Sequence, residues 1–152
     1  MANKLTHINE NGDASMVDVS SKPNMKRSAI ASCVFIAKTE TLDAVIDGRL
    51  PKGEALAVAR IAGIQAAKSC GVLIPLCHTL PIEFIGIEFE RIAPDQLQIT
   101  ATATFTGKTG IEMETLTAVS VSALTLWDMT KAIDNNLQIS CVRLLEKKKE
   151  ET

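Results

Sequence analysis

The chain has 152 residues, a net charge of −2, 46% hydrophobic residues and only 3% aromatic residues. This length fits a single domain at about 100–200 residues per domain, and the slight negative charge disfavours nucleic acid as a partner. No apolar run reaches the roughly 18 residues of a membrane span, and the N-terminus does not resemble a signal peptide, so we expect a cytoplasmic protein that contacts no membrane.

The first half of the chain predicts two strands and two helices. A short strand is expected at 16–19 and a buried strand at 30–37, where the sequence is continuously apolar. A helix is expected at 39–47, with Thr39 as its cap, and an alanine-rich helix at 54–70. The predicted apolar face of the second helix consists of Leu56, Ala57, Val58, Ile61 and Ile64.

The second half predicts a hairpin, a long helix and a last strand. The hairpin joins 82–90, with a bend near Gly86, to 97–105, which alternates regularly between apolar and polar residues. A long apolar helix and a strand at 137–145 follow, and residues 1–14 and 146–152 are expected to be flexible. This order predicts one α+β domain with a ferredoxin-like antiparallel sheet and helices packed on one face.

The stretch 106–131 holds a constellation of charges at the two ends of the long helix. We expect Glu112 and Glu114 to be extended, so that both carboxylates point to one site. Asp128 and Lys131, three residues apart, share a helical face. Fourteen residues between Glu114 and Asp128 span about 21 Å at ~1.5 Å per residue, too far for one pocket. If both ends are catalytic, the site is shared between chains and the protein is an oligomer.

Other residues in the chain have both a functional and a structural interpretation. Lys52 precedes a helix N-terminus, where anions bind, but it also fits a solvated loop. His78 lies in a stiff segment between two prolines and fits either a proton-transfer role or a buried structural one. Cys77 allows thiol chemistry, whereas the four cysteines show no CxxC spacing and no metal site is predicted. The Asp128–Lys131 pair also fits a surface ion pair, which contributes little to stability.

Several linked motifs resemble the cyclic pyranopterin monophosphate synthase family of molybdenum cofactor biosynthesis. They are MVDV at 16–19, RIAGIQ at 60–65, PLCH at 75–78, GKTGIEME at 107–114, and Asp128 with Lys131. The resemblance extends from about residue 5 to residue 145. It implies a lyase that converts a 3',8-cyclised dihydro-GTP intermediate to cyclic pyranopterin monophosphate and releases diphosphate. It also implies a hexamer, a trimer of dimers, with sites between subunits.

The resemblance also implies a role for each candidate residue. Lys52 and Lys131 would be the catalytic lysines and Asp128 the active-site acid, while His78, Glu112 and Glu114 would assist proton transfer. The residues in contact with the phosphorylated, purine-derived substrate would be Leu76, Cys77, His78, Met113 and Glu114. No cofactor is expected, although a divalent cation such as magnesium could accompany the triphosphate. The alternative is a ferredoxin-like small-ligand-binding or assembly domain without catalysis, in which these charges form surface ion pairs.

Overall fold

A four-stranded antiparallel sheet with helices on one side forms the protein. The computed structural model describes residues 7–152. The elements in chain order are β1 (Met25–Ile36), α1 (Thr39–Ile46), α2 (Ala55–Lys68), α3 (Cys70–Leu73), β2 (Phe84–Ala93), β3 (Gln96–Gly107), α4 (Glu112–Thr130) and β4 (Gln138–Glu150). The strand order is β2-β3-β1-β4, and neighbouring strands are all antiparallel. The predicted ferredoxin-like α+β architecture is confirmed.

The core lies between the sheet and α4. β3 contributes to it through the regular alternation of apolar and polar side chains, which turns the apolar ones toward α4. The side chains of β3 that were predicted to face inward are all buried, namely Leu97, Ile99, Ala101, Ala103 and Phe105. In the central strand β1, Ala31 lies opposite Ala101, and Cys33 lies opposite Ile99. α4 contacts β1, β3 and β4, and α2 packs on α4 and β2. The long helix is therefore held along its length by the sheet and by a second helix.

The close approach of α2 to α4 depends on small side chains. A Cβ at Gly63 would lie 2.2 Å from the Ser122 hydroxyl and 2.9 Å from the Ala118 carbonyl oxygen. The Ser122 hydroxyl instead donates a hydrogen bond of 3.0 Å to the carbonyl of Ala59. The residues of α2 that are buried are Ala55, Ala59, Gly63, Ala66 and Ala67.

The predicted apolar face of α2 is wrong at Val58 and Ile61, whereas Leu56 and Ile64 do pack against the core. Ile61 is 62% exposed and Val58 is also exposed, while Leu56, Ala57 and Ile64 are only partly buried. The tight contact with α4 admits alanine and glycine and excludes larger side chains. Val58 and Ile61 consequently face outward.

Several predicted boundaries near the sheet also differ from the structure. Residues 16–19 are not in a strand, and β1 begins at Met25 rather than at residue 30. The register shift of β2 occurs between Arg91 and Ala93, and Gly86 pairs regularly with Thr102. The helix predicted at 54–70 ends at Lys68, and the short helix α3 follows it.

The C-terminal end of the chain differs from the expectation of a flexible terminus. β4 continues through Glu150 and pairs with β1 from Gln138 to Glu150, so most of the charged tail belongs to the sheet. At the other end, Ile8 and Ala14 form an isolated antiparallel bridge, while the first six residues of the expected flexible segment lie outside the described residues. Within residues 7–152, no helix is both long and apolar enough to cross a membrane.

Asp134, which follows α4, stabilises the start of α1 through hydrogen bonds. Its carboxylate accepts hydrogen bonds from the Lys38 backbone N–H (2.8 Å), the Thr41 hydroxyl (2.9 Å) and the Asn136 backbone N–H (2.8 Å). Thr39 was predicted to cap α1, but it lies inside the helix. Burial alone would raise the pKa of Asp134, yet these hydrogen bonds lower it below its ordinary value. A residue remote in sequence thus supplies the polar contact at the helix start.

We predict that Asp134→Ala lowers the free energy of unfolding by about 3 kcal/mol, because the buried Thr41 hydroxyl and two partly buried backbone N–H groups lose a charged acceptor. The measurement is urea unfolding at fixed protein concentration. Since the native pKa of Asp134 is lowered, its contribution is present above the ordinary value of 3.8 and is lost as the pH falls below it. Asp47→Ala, which breaks an exposed pair with Arg49, is the matched control and should cost less than about 1 kcal/mol. Equal midpoints for the two variants would contradict the prediction.

Candidate active site

A cavity of about 300 Å³ opens at the N-terminal end of α4, and we call it the acidic cavity. Its walls come from three segments: residues near the N-terminus, the proline-flanked loop after α3, and the start of α4. The lining residues are His7, Val17, Val19, Lys22, Leu76, Cys77, His78, Leu80, Thr109, Gly110, Glu112, Met113 and Glu114. The structure thus brings together six of the predicted site residues in one cavity, namely Leu76, Cys77, His78, Glu112, Met113 and Glu114.

Glu114 is the most deeply buried carboxyl of this cavity. Only 3% of the residue is exposed, and its Oε2 has no hydrogen-bond partner among the described residues. Burial, with a smaller contribution from the charge of Glu112, raises the pKa of Glu114 to about 7. The protonated and ionised forms are therefore both accessible near neutral pH, which is what proton transfer requires.

Glu112 and Glu114 share the cavity, but not for the predicted reason. They lie in the first turn of α4 and are not extended; acidic residues in this turn are favoured by the helix dipole. The Glu112 side chain folds back over Gly110, where a Cβ would lie 1.9 Å from its Oε2. The other oxygen, Oε1, pairs with Lys147 of β4 at 2.5 Å. The glycine therefore allows two carboxylates one residue apart on a helix to reach the same space.

The loop after α3 adds an imidazole and a thiol to the acidic cavity. His78 Nε2 lies 2.9 Å from the carbonyl oxygen of Val17. Burial raises the pKa of the Cys77 thiol, which makes it a poorer nucleophile at neutral pH. The environment of Cys77 therefore does not favour thiol chemistry and suits contact with a bound molecule.

The other end of α4 carries a separate group, which we call the Lys–Asp–Lys cluster: Lys52, Asp128 and Lys131. Lys52 Nζ donates to the Asp128 carbonyl oxygen (2.8 Å) and to its carboxylate (3.1 Å), and Lys131 Nζ binds the other carboxylate oxygen at 2.7 Å. Hydrogen bonds from Lys131 and Lys52 lower the pKa of the exposed Asp128 carboxyl. Asp128 is therefore an ionised acceptor that holds two ammonium groups together.

The acidic cavity and the Lys–Asp–Lys cluster do not meet within one chain. α4 is continuous from Glu112 to Thr130, as the distance argument required. Glu114 and Asp128 are therefore about 21 Å apart along its axis. Six of the nine predicted site residues thus lie at the N-terminal end of α4, and the other three lie at its C-terminal end.

Comparison with known proteins places this chain in a family. A family model described as the MoaC family matches residues 16–150. The chain belongs to the MoaC family.

Three similar proteins are all named for the same activity. A Novosphingobium aromaticivorans protein named cyclic pyranopterin monophosphate synthase is 51% identical over 146 residues, which cover 96% of this chain and 92% of the relative. Cyclic pyranopterin monophosphate synthase 1 of Mycobacterium tuberculosis is 52% identical over 143 residues, covering 94% and 84%. A Chloroflexus aurantiacus protein with the same activity name is 48% identical over 147 residues, covering 96% and 90%.

Sequence reasoning missed the cavity residues that come from the N-terminal segment. His7, Val17, Val19 and Lys22 line the acidic cavity, although none was predicted as a site residue. The available signal was the MVDV motif, which the resemblance to the MoaC family included without assigning it a role. Across residues 7–152, no group of three or more His, Cys, Asp or Glu side chains is arranged to hold a metal ion.

The raised pKa of Glu114 predicts a specific dependence of stability on pH. Between pH 4.5 and about 7 the unfolded chain releases a proton that the folded chain keeps, so the free energy of unfolding falls as the pH rises. We expect a fall of about 2–3 kcal/mol from this group. Urea unfolding at several pH values should show this fall in the wild type and not in Glu114→Gln.

Glu88→Gln, at an exposed position of β2, is the matched control and should retain the wild-type pH dependence. Parallel pH profiles for the wild type and Glu114→Gln would contradict the assigned burial effect.

Proposed function

We propose that this protein is a cyclic pyranopterin monophosphate synthase. It is a lyase that acts on the 3',8-cyclised dihydro-GTP intermediate of molybdenum cofactor biosynthesis and releases diphosphate. The observation that carries the proposal is the identity of 48–52% to curated synthases along almost the whole chain. The acidic cavity and the Lys–Asp–Lys cluster provide chemistry that suits this reaction.

The acidic cavity supplies proton donors and acceptors for the rearrangement of the ring. Glu114, with a pKa of about 7, can give or take a proton without leaving its buried position. Glu112 and His78 lie in the same cavity and serve as its partners in proton transfer. The buried Oε2 atoms of Glu112 and Glu114 lack partners among residues 7–152, and N–H groups of a pterin or purine ring would satisfy them. Leu76, Cys77 and Met113 provide the surrounding contact surface.

The Lys–Asp–Lys cluster supplies positive charge for the phosphates. A hydroxyl group of the substrate gives up its proton to a base of the site, and its oxygen forms a bond to the α-phosphorus. The bond from that phosphorus to the diphosphate breaks, and the diphosphate leaves with the electron pair. Lys52 and Lys131 are the catalytic lysines in this proposal, because ammonium groups stabilise negative charge that develops on phosphate oxygens. Asp128 is the acidic residue of this part of the site, and its ionised carboxylate holds the ammonium groups of both lysines close together.

We propose further that the complete site forms between subunits of a homo-oligomer, a trimer of dimers. The helix separates the acidic cavity from the Lys–Asp–Lys cluster by about 21 Å, and we call these the two half-sites. A second chain must therefore place its own cluster beside the cavity of the first. Large apolar side chains are also exposed in the single chain: Val72 is 83% exposed, and Val58, Ile61 and Leu124 are exposed as well. Exposed apolar residues of this number on neighbouring helices are typical of a surface that another subunit covers.

The proposal includes no resident cofactor. Any divalent cation, such as magnesium, would arrive with the triphosphate of the substrate, because magnesium is bound in large part by substrate phosphates. We propose a cytoplasmic location and no nucleic-acid or membrane partner, in keeping with the net charge of −2.

Separate Lys52→Ala and Lys131→Ala variants test the proposed activity. Each should lower kcat/KM for the cyclised substrate by at least about 100-fold, the lower range for a lost catalytic group. Because both ion pairs are exposed, the urea midpoint and the oligomer size should stay at wild-type values. Lys148→Ala, which removes an exposed pair with Glu146, is the matched control and should retain full turnover. Unchanged turnover in both lysine variants would instead support a ligand-binding or assembly domain without catalysis.

A further inference from the structure

Residues 7–22 form one wall of the acidic cavity, and we call them the strap. The strap contains no helix, and its only β pairing within residues 7–152 is the isolated Ile8–Ala14 bridge. Val17 and Val19 are half-buried and line the cavity, whereas Asp18 and Ser20 between and beyond them are exposed. Among the described residues, two hydrogen bonds join the strap to the rest of the protein, one at Val17 and one at Ser20.

The contact at Val17 determines which nitrogen of His78 carries a hydrogen. A carbonyl oxygen only accepts hydrogen bonds, so Nε2 of His78, at 2.9 Å, must be the donor. In the neutral ring Nδ1 is then the acceptor, and the Val17 bond fixes the orientation of the imidazole, which lines the cavity. The position of the strap therefore determines how His78 can act on a bound molecule.

The contact at Ser20 fixes the strap in that position. Lys108, in the loop between β3 and α4, donates from Nζ to the Ser20 carbonyl at 2.6 Å. The backbone N–H of Ser20 in turn donates to the Asp18 carboxylate at 2.8 Å. The hydrogen bonds from Ser20 and, to a lesser extent, the charge of Lys108 lower the pKa of Asp18. The ammonium group of Lys108 thus binds a small turn of the strap, which the Asp18 carboxylate closes.

We propose that Lys108 is a positioning residue that holds the strap against the cavity through Ser20 and thereby keeps the Val17 carbonyl on His78 Nε2. Lys108 itself does not line the cavity, but its loop neighbours Thr109 and Gly110 do. The effect on turnover rests on the proposed function, while the effect on the strap and on the tautomer of His78 does not.

Lys108→Met tests this proposal, because it keeps the length of the side chain and removes the donor. Three quantities are compared with the wild type: the ring ¹⁵N shifts of His78, amide hydrogen exchange at residues 16–22, and kcat. The chain has two histidines, so a His7→Gln variant assigns the signals. We expect about tenfold faster exchange, averaged shifts of the two ring nitrogens, and a kcat lower by about tenfold, since a hydrogen bond from a charged donor is lost.

Two further variants make the test specific. Lys108→Arg keeps a charged donor and should restore most of the exchange protection, the single tautomer and kcat. Lys148→Met, on the outer part of β4, is the matched control and should leave all three at wild-type values. Unchanged exchange in Lys108→Met would overturn the proposal, as would faster exchange with an unchanged tautomer. If the strap and the tautomer respond as expected but the wild type shows no turnover, the proposed function fails and the positioning role stands.

Discussion

The close packing of α4 between the sheet and α2 is the constraint on which the rest of the structure depends. It requires Gly63 and the small residues of α2 at the contact, because any Cβ at Gly63 would collide with α4. The packing holds α4 continuous for 19 residues, and this fixes the acidic cavity and the Lys–Asp–Lys cluster at opposite ends. The same packing leaves Val58 and Ile61 of α2 exposed, where they are available to another subunit. Helix packing, the separation of the half-sites and the proposed oligomer thus have one physical origin.

The fold was largely predictable because its strands carry regular patterns. β3 alternates apolar and polar residues, β1 has a continuous apolar run, and Pro94 and Asp95 mark the hairpin turn. These patterns were enough to predict an antiparallel sheet with helices on one face. The misses share one cause, which is that tertiary contacts override local patterns. Paired neighbours hold the charged residues of β4 in a strand through Glu150, and contact with α4 selects alanine rather than isoleucine for the buried face of α2.

The candidate site was predictable where spacing along one element determines the geometry. The Lys131–Asp128 pair and the separation of the two helix ends followed from helical spacing alone. Two other contacts could not be predicted, because no local pattern encodes them. They are the ion pair of Lys52 with Asp128 and the folding of the Glu112 side chain over Gly110. The strap was missed for the same reason: residues 16–19 carry a pattern typical of a strand, but this part of the strap is held by His78 at Val17 and by Lys108 at Ser20.

Subunit mixing tests most directly the claim that the two half-sites complete each other across an interface. Glu114→Gln and Asp128→Asn chains are each expected to be inactive alone. After unfolding and refolding together in equal amounts, about a quarter of the sites should contain two intact halves, so roughly a quarter of wild-type turnover should return. Mass spectrometry of the intact oligomers confirms that both chains are present. Mixed oligomers with no regained turnover would place both halves of the site in one subunit and contradict the account.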